Sequence, residues 1–220
     1  LQRIGLSATQ RPLDEVARFL GGFHVRDSQQ ASPRQVTILP VEGTRLLELS
    51  VELPPEAAPS LGGTEAGSGS AWPKLHARLL ELILAHRSTM VFVNNRRLAE
   101  RLCNALNELH GEQIALAHHG SIAKERRQVA EASLKSGELR AVITTSSLEL
   151  GIDVGSVDLV VQVEAPTSIA SGIQRVGRAG HHVGGTSKGV FLPKFRGDVV
   201  ATAAAVGHML RGEIEETRYP

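Results

Sequence analysis

Arg175 and Arg178 are the side chains in this sequence best suited to chemistry. They stand three residues apart in a segment that reads as helical, so both can face one side. A guanidinium is planar, always charged and able to bond two oxygens of one anionic group. Such a group stabilises charge during phosphoryl transfer and is typically worth about a thousandfold or more in turnover. Upstream lies Gly151-Ile152-Asp153, which closes a loop rich in small and acidic residues. A carboxylate and two guanidinium groups on one edge suit a polyanionic ligand contacted in trans. The alternative for the arginines is a surface or salt-bridged pair, and for Asp153 a carboxylate that caps a turn. Glu149 lies four residues before Asp153, a spacing that permits an acid–base pair.

A second set of residues suits a phosphate backbone. Thr145, Ser146 and Ser147 directly follow an apolar run, where hydroxyls and free N–H groups can bind phosphate oxygens without reading bases. Arg96 and the stretch His118-His119-Gly120-Ser121 occupy equivalent places after other apolar runs. Gly120 permits close approach of a strand. Lys124, Arg126 and Arg127 can add nonspecific charge, or form a solvated helix face. Ser7-Ala8-Thr9 offers two hydroxyls near the start of the chain, which can switch hydrogen-bond partners or cap the helix that Pro12 opens.

These residues need a scaffold that presents strand ends side by side. The short runs 89–93, 114–117, 141–144, 157–163 and 187–191 read as strands, and 35–39 and 45–51 as two more. Helical spacing marks 12–20, 72–86, 97–109, 122–135 and 195–210, with Gly21-Gly22 and Gly111 as stops. Strands alternating with helices predict an α/β fold with a mainly parallel sheet covered on both faces. Ligands bind such sheets outside the carboxyl ends of the strands. Residues 1–6 read as the end of a strand. The stretch 54–70, built of Gly, Ser, Pro, Ala and Glu, reads as a surface loop.

The resemblance rests on motifs in a fixed order. Gln174-Arg175-Val176-Gly177-Arg178-Ala179-Gly180 resembles motif VI of superfamily 2 helicases, and Thr145 to Asp153 resembles their motif V. Ser7-Ala8-Thr9 matches motif III, and Val91 to Arg97 resembles motif IV. One such motif is weak, whereas the set in helicase order across most of the chain is specific. The wording SSLELGID, AHHGS and QRVGRAGH is most similar to the large helicase-related, Lhr-type DNA helicases.

The resemblance implies a RecA-like domain, the second of two. Residues 1–33 would be the end of the first RecA-like domain and a connecting helix, 34–211 the second, and 212–220 the start of a linker. It implies that Arg175 and Arg178 reach ATP held with Mg2+ by the first domain, with Gly151, Asp153 and Gln174 beside the nucleotide. It implies that Arg96, His119, Gly120, Thr145 and Ser146 hold the tracking strand, and that Ser7, Ala8 and Thr9 couple hydrolysis to movement. It implies 3′-to-5′ movement on single-stranded DNA, unwinding of DNA or RNA–DNA duplexes, a role in repair, and a bacterial cytoplasmic, nucleoid-associated setting. The partners would be that DNA and the other domains of the same protein.

Composition sets limits. The 220 residues are 41% hydrophobic and carry a net charge of +1, from 24 basic and 23 acidic residues. Any basic surface is therefore local. Aromatics are only 3%, which disfavours base stacking on a row of rings. No apolar run is long enough to span a membrane. One cysteine, Cys103, excludes an internal disulfide and fits a reducing compartment. Nine histidines include two adjacent pairs, but adjacent side chains diverge and a lone cysteine completes no standard zinc site, so no structural metal is expected. No G-x-x-x-x-G-K-S/T phosphate loop and no acidic Walker B box occur, so this segment alone is expected to be inactive. Two rivals stay open: a helicase acting on RNA, and a nucleic-acid-binding module without motor activity.

Overall fold

The computed structural model describes residues 2–7, 9–27, 30–40, 46–53, 72–149, 155, 157–180 and 185–217. Gly151, Asp153, Ala8, His181-His182 and the stretch 54–70 lie outside the described residues.

The centre is a six-stranded parallel sheet. Its strands are β3 (Leu47–Val51), β4 (Thr89–Phe92), β5 (Ala115–His118), β6 (Ala141–Thr144), β7 (Leu159–Val163) and β8 (Ser187–Leu192). Their spatial order is β3-β8-β7-β4-β6-β5. The chain builds β4, β5 and β6 to one side, then crosses over β4 to lay down β7 and β8. The loops after β4, β5, β6 and β7 therefore leave the same, carboxyl edge of the sheet.

The central strands are buried on both faces, which explains why they read as apolar runs rather than alternating ones. Alternate residues feed two cores. Val91, Val93, Ile143 and Val161 pack under α2 (Trp72–Leu84) and α3 (Arg96–His110). Met90, Phe92, Val142, Val160 and Phe191 pack under α4 (Lys124–Ser136), α5 (Ile169–Val176) and α6 (Arg196–Arg211). Helices on both faces of a mainly parallel sheet are what the sequence predicts. Cys103 faces the first core, where burial pushes its thiol up to about 11 and leaves it inert near neutrality. No helix among the described residues is long and apolar enough to cross a membrane.

The N-terminal arm departs from expectation. Residues 2–7 form no strand. Residues 35–39 form none either; instead β1 (Phe23–Asp27) and β2 (Gln30–Pro33) make a two-stranded antiparallel hairpin. α1 (Leu13–Gly21) forms as expected, but its N-cap is Pro12, with no side-chain cap from Thr9 or Gln10. The arm exposes Leu6 (96%), Leu39 (81%), Ile4 (78%) and Phe19 (64%).

Candidate nucleotide and nucleic-acid interface

Arg175 sits in the last turn of α5 and is 2% exposed. Its Nε donates to Glu149 Oε1 at 2.7 Å, and its Nη2 pairs with the same carboxylate. Its Nη1 donates to Gln162 Oε1 at 2.8 Å and Asn94 Oδ1 at 3.1 Å. The guanidinium also lies 5.4 Å from the centre of the Phe92 ring. Burying a guanidinium is costly unless it is paired and hydrogen-bonded, and here those conditions are met within the domain. Asn94 follows β4, Glu149 follows β6 and Gln162 belongs to β7, so one side chain ties three strand ends together.

Arg178 is placed differently. α5 ends at Val176, and Arg178 occupies the turn that follows, half-buried, with its backbone N–H bonded to Arg175 O at 3.0 Å. Its neighbour Ala179 bridges to Val157, in the segment leading into β7. Arg178 thus lies just beyond the last residue of α5. Arg175 turns to the carboxyl edge, and Arg178 stands beside the approach to β7. The physical reason is Gly177-Arg178-Ala179-Gly180 itself. Gly180 has φ 62°, and a Cβ there would lie 2.3 Å from Thr186 O, so the chain must leave the helix before it.

Gln174 points to the arm. Its Nε2 donates to Thr9 Oγ1 at 2.7 Å, and Thr9 is almost fully buried. Ser7 Oγ accepts from the Thr9 N–H at 3.4 Å. Gln174 thus joins the segment that resembles motif VI directly to the one that resembles motif III. The Glu149 carboxylate is engaged by Arg175 and by Ser171 Oγ at 2.9 Å, which ties it to α5.

The rim above β5 and β6 is more open. Asn95 caps α3 by accepting from Leu98 N at 2.8 Å, which fixes the first turn and exposes Arg96. Arg96 Nη1 donates to Ser121 Oγ at 2.6 Å. A Cβ at Gly120 would meet only Arg96 Nη2, at 3.9 Å, so the surface there is clear. His119 accepts from the Ser121 N–H through Nδ1 at 3.3 Å, so Nε2 carries the hydrogen and donates to Glu100 Oε1 at 2.8 Å. His118, fully buried, bonds Ser147 Oγ at 2.9 Å and Glu131 Oε1 at 2.8 Å. Thr145 is nearly buried at the start of a short 3-10 turn (Ser146–Leu148), and Ser146 is exposed. Arg96, Gly120, Ser121 and Ser146 thus form the reachable part of the rim, and His118, His119, Glu100 and Glu131 support it.

Sequence reading missed Gln162, Asn94 and these glutamates as contributors. Gln162 left a signal: it is the lone polar residue in the run Leu159–Val163, and a buried amide needs partners. Among the described residues, no group of three or more His, Cys, Asp or Glu could hold a metal ion.

The comparisons with known proteins agree with this fold. The family described as "Helicase conserved C-terminal domain" matches residues 74–182. The Lhr helicase/probable uracil glycosylase of Mycolicibacterium smegmatis is 45% identical over 100% of this chain and 16% of its own length. The Lhr helicase/uracil glycosylase of Escherichia coli is 41% identical, with the same 100% and 16% coverage. A solved structure of Mycobacterium smegmatis helicase Lhr bound to ssDNA and AMP-PNP superposes with a TM-score of 0.87 at 50% identity, covering 100% of this chain and 27% of that one. The chain thus spans about a sixth of the curated relatives' length. With its parallel sheet, its motif order and these relatives, the chain belongs to the Lhr-type superfamily 2 helicases, as their C-terminal RecA-like domain.

Proposed function

We propose that this domain is the second half of an ATP-driven motor that moves 3′ to 5′ along single-stranded DNA and opens DNA or RNA–DNA duplexes, in DNA repair. The observation that carries the reading is the gathering of Arg96, His119-Gly120-Ser121 and Thr145-Ser146 on one edge of a parallel sheet, behind strands β4, β5 and β6. These groups offer a guanidinium, hydroxyls and backbone N–H to a phosphate chain, without a row of rings to read bases. That the relative was solved with ssDNA and AMP-PNP supports the same ligand classes here.

In this reading the first RecA-like domain holds ATP with Mg2+, and the exposed apolar side chains of the arm, Ile4, Leu6, Phe19 and Leu39, mark surface for other domains of the same protein. Arg178 reaches the nucleotide's terminal phosphate from the turn after α5, with Gly151 and Asp153 alongside. Arg175 acts one step back: it fixes α5 to the strand ends so that Arg178 and Gln174 arrive in register. Ser7, Ala8 and Thr9 couple the site to strand movement, through the Thr9–Gln174 bond.

The test is ATP hydrolysis by the full-length protein, with and without single-stranded DNA, in wild type and Arg178→Ala. DNA stimulates wild type, and the variant loses about a hundredfold or more in turnover while still binding DNA. A wild type that binds DNA but hydrolyses no ATP overturns the motor reading. An Arg178→Ala enzyme with normal turnover overturns the placement of Arg178.

A further inference from the structure

Residues 213–217, expected to be the start of a linker, fold back onto the domain. After α6 the Glu213 N–H bonds to His208 O at 3.0 Å. Glu215 then places both carboxylate oxygens on the first turn of α5: the Ile169 N–H donates to Oε1 at 2.5 Å and the Ala170 N–H to Oε2 at 3.1 Å. Burial works against the charge on Glu215, but these amide donors outweigh it and hold the carboxyl below the usual carboxylate range. The Ser168 hydroxyl caps the same turn by accepting from Ser171 N at 3.0 Å. Two residues on, the Thr217 N–H donates to Arg11 O at 2.5 Å and its Oγ1 to Gln10 Oε1 at 2.6 Å.

The contacts close a ring. Gln10 and Arg11 directly follow Thr9, and Thr9 accepts from Gln174 on α5. Segment 213–217 therefore touches α5 at its start and the motif III segment at its end, and those two elements touch each other through Thr9 and Gln174. α5 is only 8 residues long, too short to hold its own direction, and it carries Gln174 and leads into Arg178.

We propose that Glu215 is a positioning residue for motif VI and that 213–217 is a clamp, fixing the start of α5 against the motif III segment so that Arg178 is presented in register. The proposal rests on the motor reading above. Removing the Glu215 carboxylate leaves two helix-start N–H groups to water and lets α5 pivot about its Arg175 anchor. The clamp also gives any change in the course of the chain after α6 a direct mechanical route to Gln174 and Arg178.

The test uses the full-length protein and three variants: Glu215→Ala, Glu215→Gln and Thr217→Val. The readouts are kcat and KM for ATP with saturating single-stranded DNA, DNA affinity and melting temperature. Glu215→Ala lowers kcat by about tenfold with KM for ATP and DNA affinity within about twofold, because what is lost acts on the transition state. Glu215→Gln, which keeps an acceptor for one amide, restores most of the rate. Thr217→Val costs about threefold by loosening the other end of the clamp. Active wild type with Glu215→Ala and Thr217→Val equal to it overturns the clamp alone. So does a loss of rate that follows melting temperature and is not restored by glutamine. A wild type without DNA-stimulated hydrolysis overturns the motor reading itself, and the clamp's role with it.

Discussion

Over β4 and β7, Arg175 is 2% exposed and has its donors directed to Glu149, Gln162 and Asn94. Over β5 and β6, Arg96 is exposed, with a single bond to the Ser121 hydroxyl. The side chains are identical and both follow strand ends of one sheet, yet they suit opposite tasks. A buried, fully bonded guanidinium is held in one geometry and is fitted to position its neighbours. An exposed one keeps donors available to a ligand at little cost in stability. Of these two arginines, the one with more partners is therefore the worse candidate for contact with phosphate.

Arg175→Ala should break that contrast most sharply. It removes the guanidinium from the half-buried Glu149 carboxylate and the buried Gln162 amide, and breaking a buried pair from one side costs about 3–5 kcal/mol. For a chain of this size that lowers the melting temperature by on the order of 10 °C. Arg96→Ala, at the exposed rim, changes stability by about 0.5 kcal/mol or less. Chemical denaturation of the two variants side by side checks the difference. Equal effects would mean that the Arg175 cluster is not the fastening it is described as.

Gln162→Leu sharpens the same comparison. Gln162 accepts from Arg175 and donates through Nε2 to Val163 O at 2.9 Å and Glu164 O at 3.0 Å. Glu164 has φ 67°, a left-handed conformation that a non-glycine residue keeps only when its surroundings fix it. Its N–H bonds Leu192 O at 3.1 Å and its carboxylate meets Lys194 Nζ at 2.7 Å. Leucine fills the space but satisfies none of these groups, so the variant loses about 1–3 kcal/mol. Combined with Arg175→Ala it loses less than the sum, since both remove the same bond. An additive double variant would show that the two side chains act independently.

Those two residues also show what the sequence could and could not reveal. The sheet was legible because its central strands are buried on both faces and so read as largely apolar runs, beginning at Thr89, Ala141 and Leu159. The hairpin at 23–33 was not, because its strands are only five and four residues long. Motif VI was legible as a motif, but the burial of Arg175 among Glu149, Gln162 and Asn94 was not. Spacing of three suggests one helix for Arg175 and Arg178, but α5 ends at Val176, before Arg178. Glu149, Asn94 and Gln162 lie 26, 81 and 13 residues from Arg175, so only the topology of the sheet brings them to it. Glu215 was read as linker for the same reason: its partners are backbone N–H groups 46 and 45 residues away, which leave no trace in composition.

The smallest expected effect is at the rim, and it is the one that separates contact from support. Arg96→Ala removes one cation from the edge where Ser121 and Ser146 face outward, so binding of single-stranded DNA should weaken by about three- to tenfold at moderate salt. If Arg96 meets a phosphate, the slope of log affinity against log salt falls by about 0.7, the value for one counterion on a single strand. The loss should also be equal across base sequences, because a phosphate contact carries no sequence information. Glu100→Gln provides the internal control. It leaves an acceptor for the His119 Nε2 hydrogen and keeps the loop in place, so the salt slope stays as in wild type. A reduced slope in Arg96→Ala alone assigns direct contact to Arg96. An unchanged slope with weaker binding would instead make Arg96 a brace for Ser121, and would move the strand's path away from this edge.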